Sequence, residues 1–250
     1  MKAIILAAGK GTRMEQTTPK GMLMLKRETL IQRQIRLLKE LKTDPIVIVT
    51  GYESEKIKYP EIIYYNNPYY ASTNMIETLM CAKKELNSDI LISYSDIIYK
   101  KKVLKTVIEH PGDVVVAVDA AWRHYWVLRF KTTEEDLESL SVSSNGKITE
   151  IGKPLKTSRG LHYRYVGLIK FSKKGILASL KIYNKRKTKK EPWDQSGKSF
   201  EQGYMTDLLQ ELIVQGTRVS SVVIQGGWLE IDTKKDYKLA LSLMDKYEFD

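Results

Sequence analysis

The sequence predicts an α/β fold with a mixed, mostly parallel sheet, helices on both sheet faces and a small β-hairpin. Strand and helix patterns alternate over the first 120 residues, which is typical of a parallel sheet with covering helices. A turn containing Gly9 and Gly11 follows the first apolar run. In the middle of the chain, Asn145-Gly146 separates two alternating segments, and this dipeptide predicts a hairpin with a type I′ turn.

The elements follow from local patterns in chain order. Apolar or alternating runs between turn residues predict strands, and amphipathic runs predict helices. Strands are expected at Lys2–Ala7, Pro45–Thr50, Ile62–Tyr65, Asp89–Tyr94, Asp113–Asp119, Leu137–Ser144, Lys147–Gly152, Tyr163–Ser172, Arg218–Ile224 and Trp228–Ile231. Helices are expected at Thr29–Leu41, Asn74–Glu85, Lys101–Glu109, Lys173–Tyr183, Tyr204–Gln215 and Lys234–Tyr247. The polar stretch 184–200 is predicted to be a loop. Gly216 is predicted to end the helix Tyr204–Gln215.

Length and composition narrow the class of protein. A chain of 250 residues can bury a full core, so we expect a single domain over residues 1–250. No apolar run is long enough to span a membrane, and the N-terminus lacks a signal-peptide pattern. The one cysteine, Cys81, has no partner for an internal disulfide, which fits a reducing cytoplasm. We therefore expect a cytoplasmic protein without a membrane span.

The charge is strongly positive, at +11 from 41 Lys+Arg and 30 Asp+Glu. Such a balance favours an anionic partner. The lysines are scattered, however, and the densest basic run, 184–190, has no interleaved aromatic residues of the kind that stack on bases. We expect no nucleic-acid partner. A solvated loop is the simplest interpretation of the run, and attraction of an anionic substrate is the alternative.

The first twenty residues carry the clearest functional signal. The apolar run ends in Ala8-Gly9-Lys10-Gly11-Thr12-Arg13, and Pro19-Lys20 follows closely. Small residues let the backbone approach a ligand, and free N–H groups beside fixed cations suit phosphates. The P-loop spacing is absent, and Met14 stands where the dinucleotide fingerprint has its third glycine. Taken alone, the two glycines could form an ordinary strand-to-helix turn.

The whole string resembles the signature of the nucleotidyltransferases that make nucleotide-diphospho sugars and CDP-alcohols. The resemblance covers residues 1–100 and 206–250, and it is closest to the CTP:phosphocholine and phosphonate cytidylyltransferases. It implies a three-layer, Rossmann-like nucleotidyltransferase fold of the GT-A type. It also implies CTP as a substrate, Mg²⁺ as the cofactor, release of pyrophosphate and a place in surface polysaccharide biosynthesis. In these enzymes the loop wraps the nucleotide, so Arg13 and Lys20 are implied to hold its phosphates.

Two acidic residues are the implied metal ligands. Asp96 ends an apolar strand, and ligands of open α/β sheets bind at the carboxyl ends of strands. Asp232 lies in Glu-Ile-Asp-Thr-Lys-Lys-Asp, which is similar to the family pattern Asp-x-Asp-Thr-x-x-Asp with Glu230 in place of the first aspartate. Either aspartate could instead cap the element that follows it. The resemblance implies that both hold Mg²⁺, a cation that prefers oxygen ligands.

The segment from Pro68 to Leu79 resembles the part of these enzymes that lies against the pyrimidine, although one of its polar residues is also expected to cap a helix. The implied nucleotide-binding residues are Leu6, Ala7, Ala8, Gly9, Gly11, Thr12, Ser72, Thr73, Asn74, Thr78 and Ser95. A lysine in a segment similar to 147–153 faces the acceptor phosphate in the family, which implies that role for Lys153.

Residues 120–200 are expected to form an acceptor-binding insertion region. An aromatic cage for a cationic group is the hypothesis for Trp122, Trp126 and Trp193, although ordinary core packing explains single aromatic residues as well. Tyr165, Asp194 and Glu230 complete the implied acceptor site. The expected acceptor is a small phosphorylated alcohol, a phosphonate, or a phosphorylated amine or amino-acid derivative. A sugar-1-phosphate uridylyl- or thymidylyltransferase, a glycosyltransferase and a non-catalytic basic binding module stay open, as does a homodimer.

Overall fold

The structure is a computed structural model that describes residues 1–14 and 18–249. Its strands are β1 Lys2–Ala7, β2 Met24–Leu25, β3 Glu28–Thr29, β4 Ile46–Thr50, β5 Ile63–Asn66, β6 Ile90–Tyr94, β7 Ile97–Tyr99, β8 Val114–Asp119, β9 Glu138–Val142, β10 Ile148–Pro154, β11 Arg164–Phe171, β12 Val219–Ile224 and β13 Trp228–Glu230. Its α-helices are α1 Leu30–Glu40, α2 Met75–Cys81, α3 Lys101–Glu109, α4 Trp122–Phe130, α5 Lys173–Lys189, α6 Met205–Val214 and α7 Lys234–Lys246.

Seven strands form the central sheet in the order β12-β8-β11-β6-β1-β4-β5. All adjacent strands are parallel except at β11, which runs antiparallel to both β6 and β8. The carboxyl ends of six strands therefore lie at one edge, together with the amino end of β11. This is the mixed, mostly parallel sheet that the sequence predicts, and the edge where these ends meet is where such folds bind ligands.

The core explains why the strands form. Every residue of β8 is buried, as are all residues of β1 after Lys2, so these strands read as continuous apolar runs rather than alternating ones. Helix α1 begins at a capping box in which Thr29 accepts from the Gln32 N–H. No helix of the described residues is both long and apolar enough to cross a membrane.

The hairpin between β9 and β10 is present, but its predicted type I′ turn is wrong. That turn needs a positive φ at both central residues. Only Gly146 has one, at 75°. Gly146 N donates to Ser143 O at 2.9 Å, and Ser143 N donates to Lys147 O at 2.9 Å. The loop is therefore a turn closed at a left-handed glycine, and the side-chain oxygen of Asn145 accepts from the Lys147 N–H.

The basic run 184–190 is not the loop that the sequence predicts, because α5 continues to Lys189. Arg186 explains the extension. Its guanidinium turns inward to Asp194 at 2.7 Å and Glu211 at 2.5 Å, so this turn of the helix has a buried contact that hydropathy does not show.

Two further differences concern α4, which is not among the expected helices, and β13, which is expected but pairs outside the central sheet. Helix α4 has no side-chain cap, and its buried stripe of Trp122, Tyr125, Trp126 and Arg129 includes an arginine, so the sequence does not show a plainly apolar face. Strand β13 does not join the central sheet; it pairs with the short β7, where Leu229 lies beside Ile98. This pairing brings the carboxyl end of β13 next to the turn that follows β6.

Candidate functional site

Two adjoining pockets open at the carboxyl edge of the sheet. The first, here called the loop pocket, lies beside the Gly9–Gly11 turn and has a volume of about 150 Å³. The second, the hairpin pocket, lies beside β9 and β10 and has a volume of about 430 Å³. Met75 and Tyr94 line both pockets. A ligand in one pocket would therefore lie against a ligand in the other.

The glycine turn forms one wall of the loop pocket. Gly11 has a left-handed φ of 63°, and a Cβ atom there would lie 2.5 Å from Cγ of Lys20. Glycine is needed at this position for both reasons. The close approach brings the lysine side chain across the turn and toward the acidic residues on the far side of the pocket.

Lys20 joins the two aspartates that the sequence singles out. Its ammonium lies 3.2 Å from Asp96 Oδ2 and also forms an ion pair with Asp232. Burial alone would lower the pKa of Lys20, but the two carboxylates outweigh it and raise that pKa. Burial alone would raise the pKa of Asp232, but the positive charge of Lys20 outweighs burial and keeps that pKa low. Arg13 reaches Asp232 Oδ1 at 3.0 Å from a largely exposed position.

A buried glutamine fixes the turn that carries Asp96. Gln34, on α1, donates from Nε2 to Tyr94 O and to Ile97 O, both at 2.8 Å. Its own oxygen accepts from the Ser93 hydroxyl. These bonds span the turn from β6 to β7 and so hold Asp96 toward the pocket. Sequence reasoning missed Gln34, and its one signal is a polar residue on the apolar face of an amphipathic helix.

Arg129 organises the acidic residues that follow β13. This fully buried arginine reaches Asp236 at 2.9 Å, Glu230 at 2.7 Å and Asp232 at 3.3 Å. Burial raises the pKa of Glu230 well above its usual range, Asp232 raises it further, and Arg129 opposes both effects. The sequence gives no signal for Arg129, because α4 itself is not predicted. Its role is to keep three neighbouring carboxylates together in one place.

The oxygen atoms of Asp96 and Asp232 form a donor set that fits Mg²⁺. Both carboxylates contact the same ammonium, so they are close enough to share one cation. No group of three or more His, Cys, Asp and Glu side chains lies together in metal-binding geometry among residues 1–14 and 18–249. The remaining ligands of a hard cation would therefore be water and ligand oxygens, which is how Mg²⁺ usually binds beside phosphates.

The 67–78 segment forms the opposite wall of the loop pocket. Asn74 caps α2 by accepting from the Met75 N–H at 2.9 Å. The buried Asn67 donates to the hydroxyls of Thr73 at 2.9 Å and Thr78 at 3.0 Å. These bonds fix two hydroxyl-bearing side chains at the pocket wall. Asn67 is a further residue that the sequence analysis did not name.

Most of the expected nucleotide-binding residues come together in the loop pocket. Those that line it are Leu6, Ala8, Gly9, Gly11, Thr73, Asn74, Thr78 and Ser95. Ala7, Thr12 and Ser72 do not line it. Ala7 is buried in β1, and the Ser72 hydroxyl bonds the carbonyl of Tyr69. The lining also includes Tyr70, Met75 and Tyr94, which the sequence analysis did not assign.

The hairpin pocket contains two of the expected acceptor residues, Tyr165 and Glu230. Tyr165 donates its hydroxyl to that of Tyr94 at 3.0 Å, at the border with the loop pocket. The structure does not bring Lys153 into the lining of this pocket. Its neighbours Gly152 and Pro154 line the pocket, but Lys153 does not, and its side chain is exposed. The register of β10 shifts between Ile151 and Pro154, and Gly152 has a left-handed φ of 86°, so the strand does not alternate regularly here.

The structure does not bring the three tryptophans of the expected cage to the pockets either. Trp122, Trp126 and Trp193 are at most 1 % exposed, and none lines either pocket. The buried Arg164 lies 4.3 Å from the centre of the Trp126 ring, and the buried Arg186 lies 5.1 Å from that of Trp193. Trp122 packs against the exposed Arg123 at 4.7 Å. Asp194 is likewise outside the pockets, where its exposed carboxylate pairs with Arg186. The aromatic residues therefore stabilise the core.

A segment between α5 and α6, residues 191–204, connects the two pockets. The Trp193 indole donates to Phe200 O at 2.9 Å and anchors it. The Glu201 carbonyl accepts from the Asn74 N–H at 2.9 Å. At the other end, Gln195 donates to Ile151 O on the hairpin at 2.8 Å. The segment also contributes Ser196, Lys198 and Tyr204 to the hairpin pocket.

The comparisons with known proteins agree with this geometry. A family model described as the MobA-like NTP transferase domain matches residues 3–158. The CTP:phosphoglutamine cytidylyltransferase of Campylobacter jejuni is 33% identical over 96% of this chain and 99% of its own length. The choline-phosphate cytidylyltransferase of Streptococcus pneumoniae is 37% identical over 40% of this chain and 47% of its own.

Solved structures show the same fold. The CTP:phosphocholine cytidylyltransferase of Streptococcus pneumoniae superposes with a TM-score of 0.74 at 20% identity, over 97% of this chain and 98% of that one. The inositol-1-phosphate CTP transferase of T. maritima gives 0.73 at 20% identity, over 98% and 95%. At these identities the likeness shows the fold alone.

Proposed function

Because this chain belongs to the MobA-like NTP transferase family and is a nucleotidyltransferase, we propose that it transfers CMP from CTP to a small phosphorylated acceptor. CTP would occupy the loop pocket and the acceptor the hairpin pocket. Residues 120–200, with β9, β10 and β11, would supply most of the acceptor side. The names of the relatives support cytidine as the base and a phosphorylated small molecule as the acceptor.

The reaction is an in-line displacement at phosphorus. An oxygen of the acceptor phosphate attacks the α-phosphorus of CTP and forms a new P–O bond. The bond from the α-phosphorus to the oxygen bridging to the β-phosphorus breaks, and pyrophosphate leaves with that electron pair. The attacking phosphate is already anionic, so no proton needs to be removed and no covalent enzyme intermediate is required. Catalysis then consists of positioning and of stabilising negative charge.

The residues of the site would divide this work. The Ala8–Gly11 turn would offer N–H donors to the triphosphate. Lys20 and Arg13 would neutralise charge on the α-phosphate and on the departing pyrophosphate. Asp96 and Asp232 would hold Mg²⁺, which supplies charge neutralisation at phosphate oxygens when bound. Thr73, Asn74 and Thr78 would lie along the pyrimidine.

One observation carries the proposal: Lys20 contacts both aspartates where the two pockets meet. Asp96 lines the loop pocket and Asp232 lines the hairpin pocket. This arrangement supports the proposal, because the α-phosphate of one ligand and the phosphate of the other would meet beside these charged groups. A binding module that held a single anion would not need two carboxylates between two pockets.

The test is a screen for pyrophosphate release. Each of CTP, UTP, ATP and GTP is combined with Mg²⁺ and with phosphocholine, phosphoethanolamine, aminoethylphosphonate, phosphoglutamine or glucose 1-phosphate. We expect release with CTP and at least one amine-bearing acceptor. A preference for UTP with glucose 1-phosphate would instead identify a sugar-nucleotide enzyme. No release with any pair would exclude the proposed activity.

Titration calorimetry with CTP and UTP then isolates the choice of base. The two nucleotides differ only at the ring edge, and a site built to hydrogen-bond one edge rejects the other strongly. We expect tighter binding of CTP. Thr78→Val is a suitable variant, since it removes the hydroxyl that Asn67 orients while keeping the shape of the side chain. It should reduce the difference between the two nucleotides.

A further inference from the structure

Most charged side chains of the hairpin pocket are already paired within the protein. Arg13 pairs with Asp232 at 3.0 Å, and Glu230 pairs with Arg129 at 2.7 Å. Arg164 Nη2 pairs with Asp136 at 2.8 Å. Because these charges neutralise one another, the paired residues give a ligand little net charge to bind. What remains unpaired in the pocket is therefore informative about the acceptor.

Glu138 is the unpaired anion. It lies on β9 and lines the pocket, yet within residues 1–14 and 18–249 its carboxylate has neither a hydrogen-bond donor nor an ion-pair partner. Burial raises its pKa, and the charge of Arg164 opposes that rise. Because Glu138 is half-buried, a ligand that fills the pocket would displace water from this carboxylate, which is unfavourable unless the ligand itself supplies a donor. A ligand ammonium would supply both the proton donors and the opposite charge.

The unpaired cationic groups are on the same pocket. Lys198 has no carboxylate partner in the described part of the chain, and its ammonium lies 6.0 Å from the centre of the Tyr204 ring. Arg164 is only 6 % exposed, and its Nη1 has no hydrogen-bond partner among the described residues. The pocket thus presents one free carboxylate and two sets of free cationic donors. Binding a phosphate alone would not require the free carboxylate, so the pocket offers both negative and positive groups to the rest of the acceptor.

We infer that the acceptor is a phosphorylated amino acid or close derivative, whose ammonium group is bound by Glu138 and whose carboxylate is bound by Lys198 and Arg164. This inference rests on the proposed function, in which the acceptor occupies the hairpin pocket. A phosphorylated alcohol with only a cationic head would leave the cationic donors unused. A hexose phosphate would leave Glu138 facing hydroxyls without a positive charge.

Four matched acceptors test the inference at saturating CTP. Phosphoserine carries an ammonium and a carboxylate, and phosphoethanolamine lacks the carboxylate. Phosphorylated 3-hydroxypropionate lacks the ammonium, and ethyl phosphate lacks both. We expect kcat/KM to be highest for phosphoserine, lower for the two singly charged analogues and lowest for ethyl phosphate. Phosphoglutamine extends the series to a longer side chain with the same two groups.

Two variants assign the groups to residues. Glu138→Gln should lower kcat/KM for the ammonium-bearing acceptors by about tenfold to a hundredfold, the range of one hydrogen bond to a charged group. It should leave ethyl phosphate within about twofold. Lys198→Met should lower kcat/KM for the carboxylate-bearing acceptors only. Glu150→Gln on the same hairpin and Lys185→Met on α5 are the matched controls, since neither residue lines the pocket.

The possible results distinguish failure of the acceptor inference from failure of the proposed CMP transfer. Transfer of CMP with equal kcat/KM for all four acceptors, or an equal loss for all four in Glu138→Gln, would overturn the inference and leave the proposed function standing. No transfer to any acceptor in the wider screen would overturn both. If Glu138→Gln does not fold, as judged by circular dichroism, Glu138→Asp replaces it. That variant should keep the order of preference and weaken only the ammonium-bearing acceptors.

Discussion

Lys20 Nζ lies 3.2 Å from Asp96 Oδ2, across the mouth of the glycine turn. The same ammonium contacts Asp232, so a cation that belongs to the protein already lies between the two carboxylates. This contact accounts for the low pKa of Asp232 in spite of its burial. A metal ion held by the aspartates would therefore displace the ammonium, which would then be free to contact a phosphate.

We expect the two aspartates to act as one unit. Asp96→Asn and Asp232→Asn should each nearly abolish turnover while the circular dichroism spectrum stays unchanged. The double variant should be little worse than either single one, because loss of one ligand already dismantles the site. Pyrophosphate release is the measurement, with Asp245→Asn on the exposed end of α7 as the control. Full activity in Asp232→Asn would assign the role to Glu230 or Asp236 instead.

Arg13 and Lys20 should affect the rate more than substrate binding. Loss of a donor that meets charge developing in the transition state costs about 100-fold or more in turnover. Steady-state kinetics of Arg13→Ala and Lys20→Ala would show a fall in kcat of that order. A rise confined to KM for CTP would show that these cations bind only the ground state.

Arg129 should be required for both stability and activity. Arg129→Met would leave Glu230, Asp232 and Asp236 without their shared cation, and breaking a buried ion pair on one side typically costs about 3–5 kcal/mol. Urea unfolding measures that loss, and turnover should fall because Asp232 loses its support. Arg129→Lys keeps the charge without the planar fork and should give an intermediate result. Arg27→Met, at an exposed position, should match the wild type in both measurements.

The tryptophans offer a matched pair for the core. The Trp193 indole N–H donates to Phe200 O, whereas the buried Trp122 N–H has no partner among the described residues. Replacement by Phe removes a similar volume at both sites. Trp193→Phe should therefore cost about 1 kcal/mol more in the free energy of unfolding, the value of a typical hydrogen bond. Trp122→Phe should leave KM for the acceptor within about twofold; a large rise in that KM would restore the cage hypothesis.

Glu85 should give a stability difference that depends on pH. Hydrogen bonds from Lys2 and Tyr65 lower its pKa in the folded state. A carboxyl whose pKa is lowered by folding stabilises the protein above its unfolded pKa, and this contribution disappears as the pH falls through the folded pKa. Glu85→Gln should therefore cost about 1 kcal/mol at pH 7 and less at pH 3. Urea unfolding at both pH values is the measurement, with the exposed Glu109→Gln as control.

The sequence predicts most of this fold because its signals are local. The apolar runs of β1 and β8 and the caps at Thr29 and Ser172 each fix an element without reference to the rest of the chain. Helix α4 shows the limit of that approach. Its buried residues Trp122, Tyr125, Trp126 and Arg129 recur at helical spacing. Hydropathy does not reveal this stripe, because one of its members is an arginine while Val127 lies on the exposed side. Tertiary contacts therefore determine it.

The candidate site likewise contains residues that a local motif predicts and residues that only distant contacts define. Gly11 and Lys20 lie in a short motif, so their neighbourhood can be anticipated from the sequence. Asn67 and Gln34 act through hydrogen bonds to segments up to 63 residues away, and no local pattern reports such bonds. The tryptophans mislead for a related reason, since an aromatic side chain that packs on a core arginine and one that faces a ligand look alike in sequence.

The reversed direction of β11 has an evolutionary consequence. Because it runs against β6, its first residues, Arg164 and Tyr165, reach the same edge as the glycine turn although they lie far from it in the chain. Together with Glu138 they can change under selection without altering residues 1–100. A descendant of this protein could therefore inherit its nucleotide chemistry intact and acquire a new acceptor through a few point mutations in the second half of its gene.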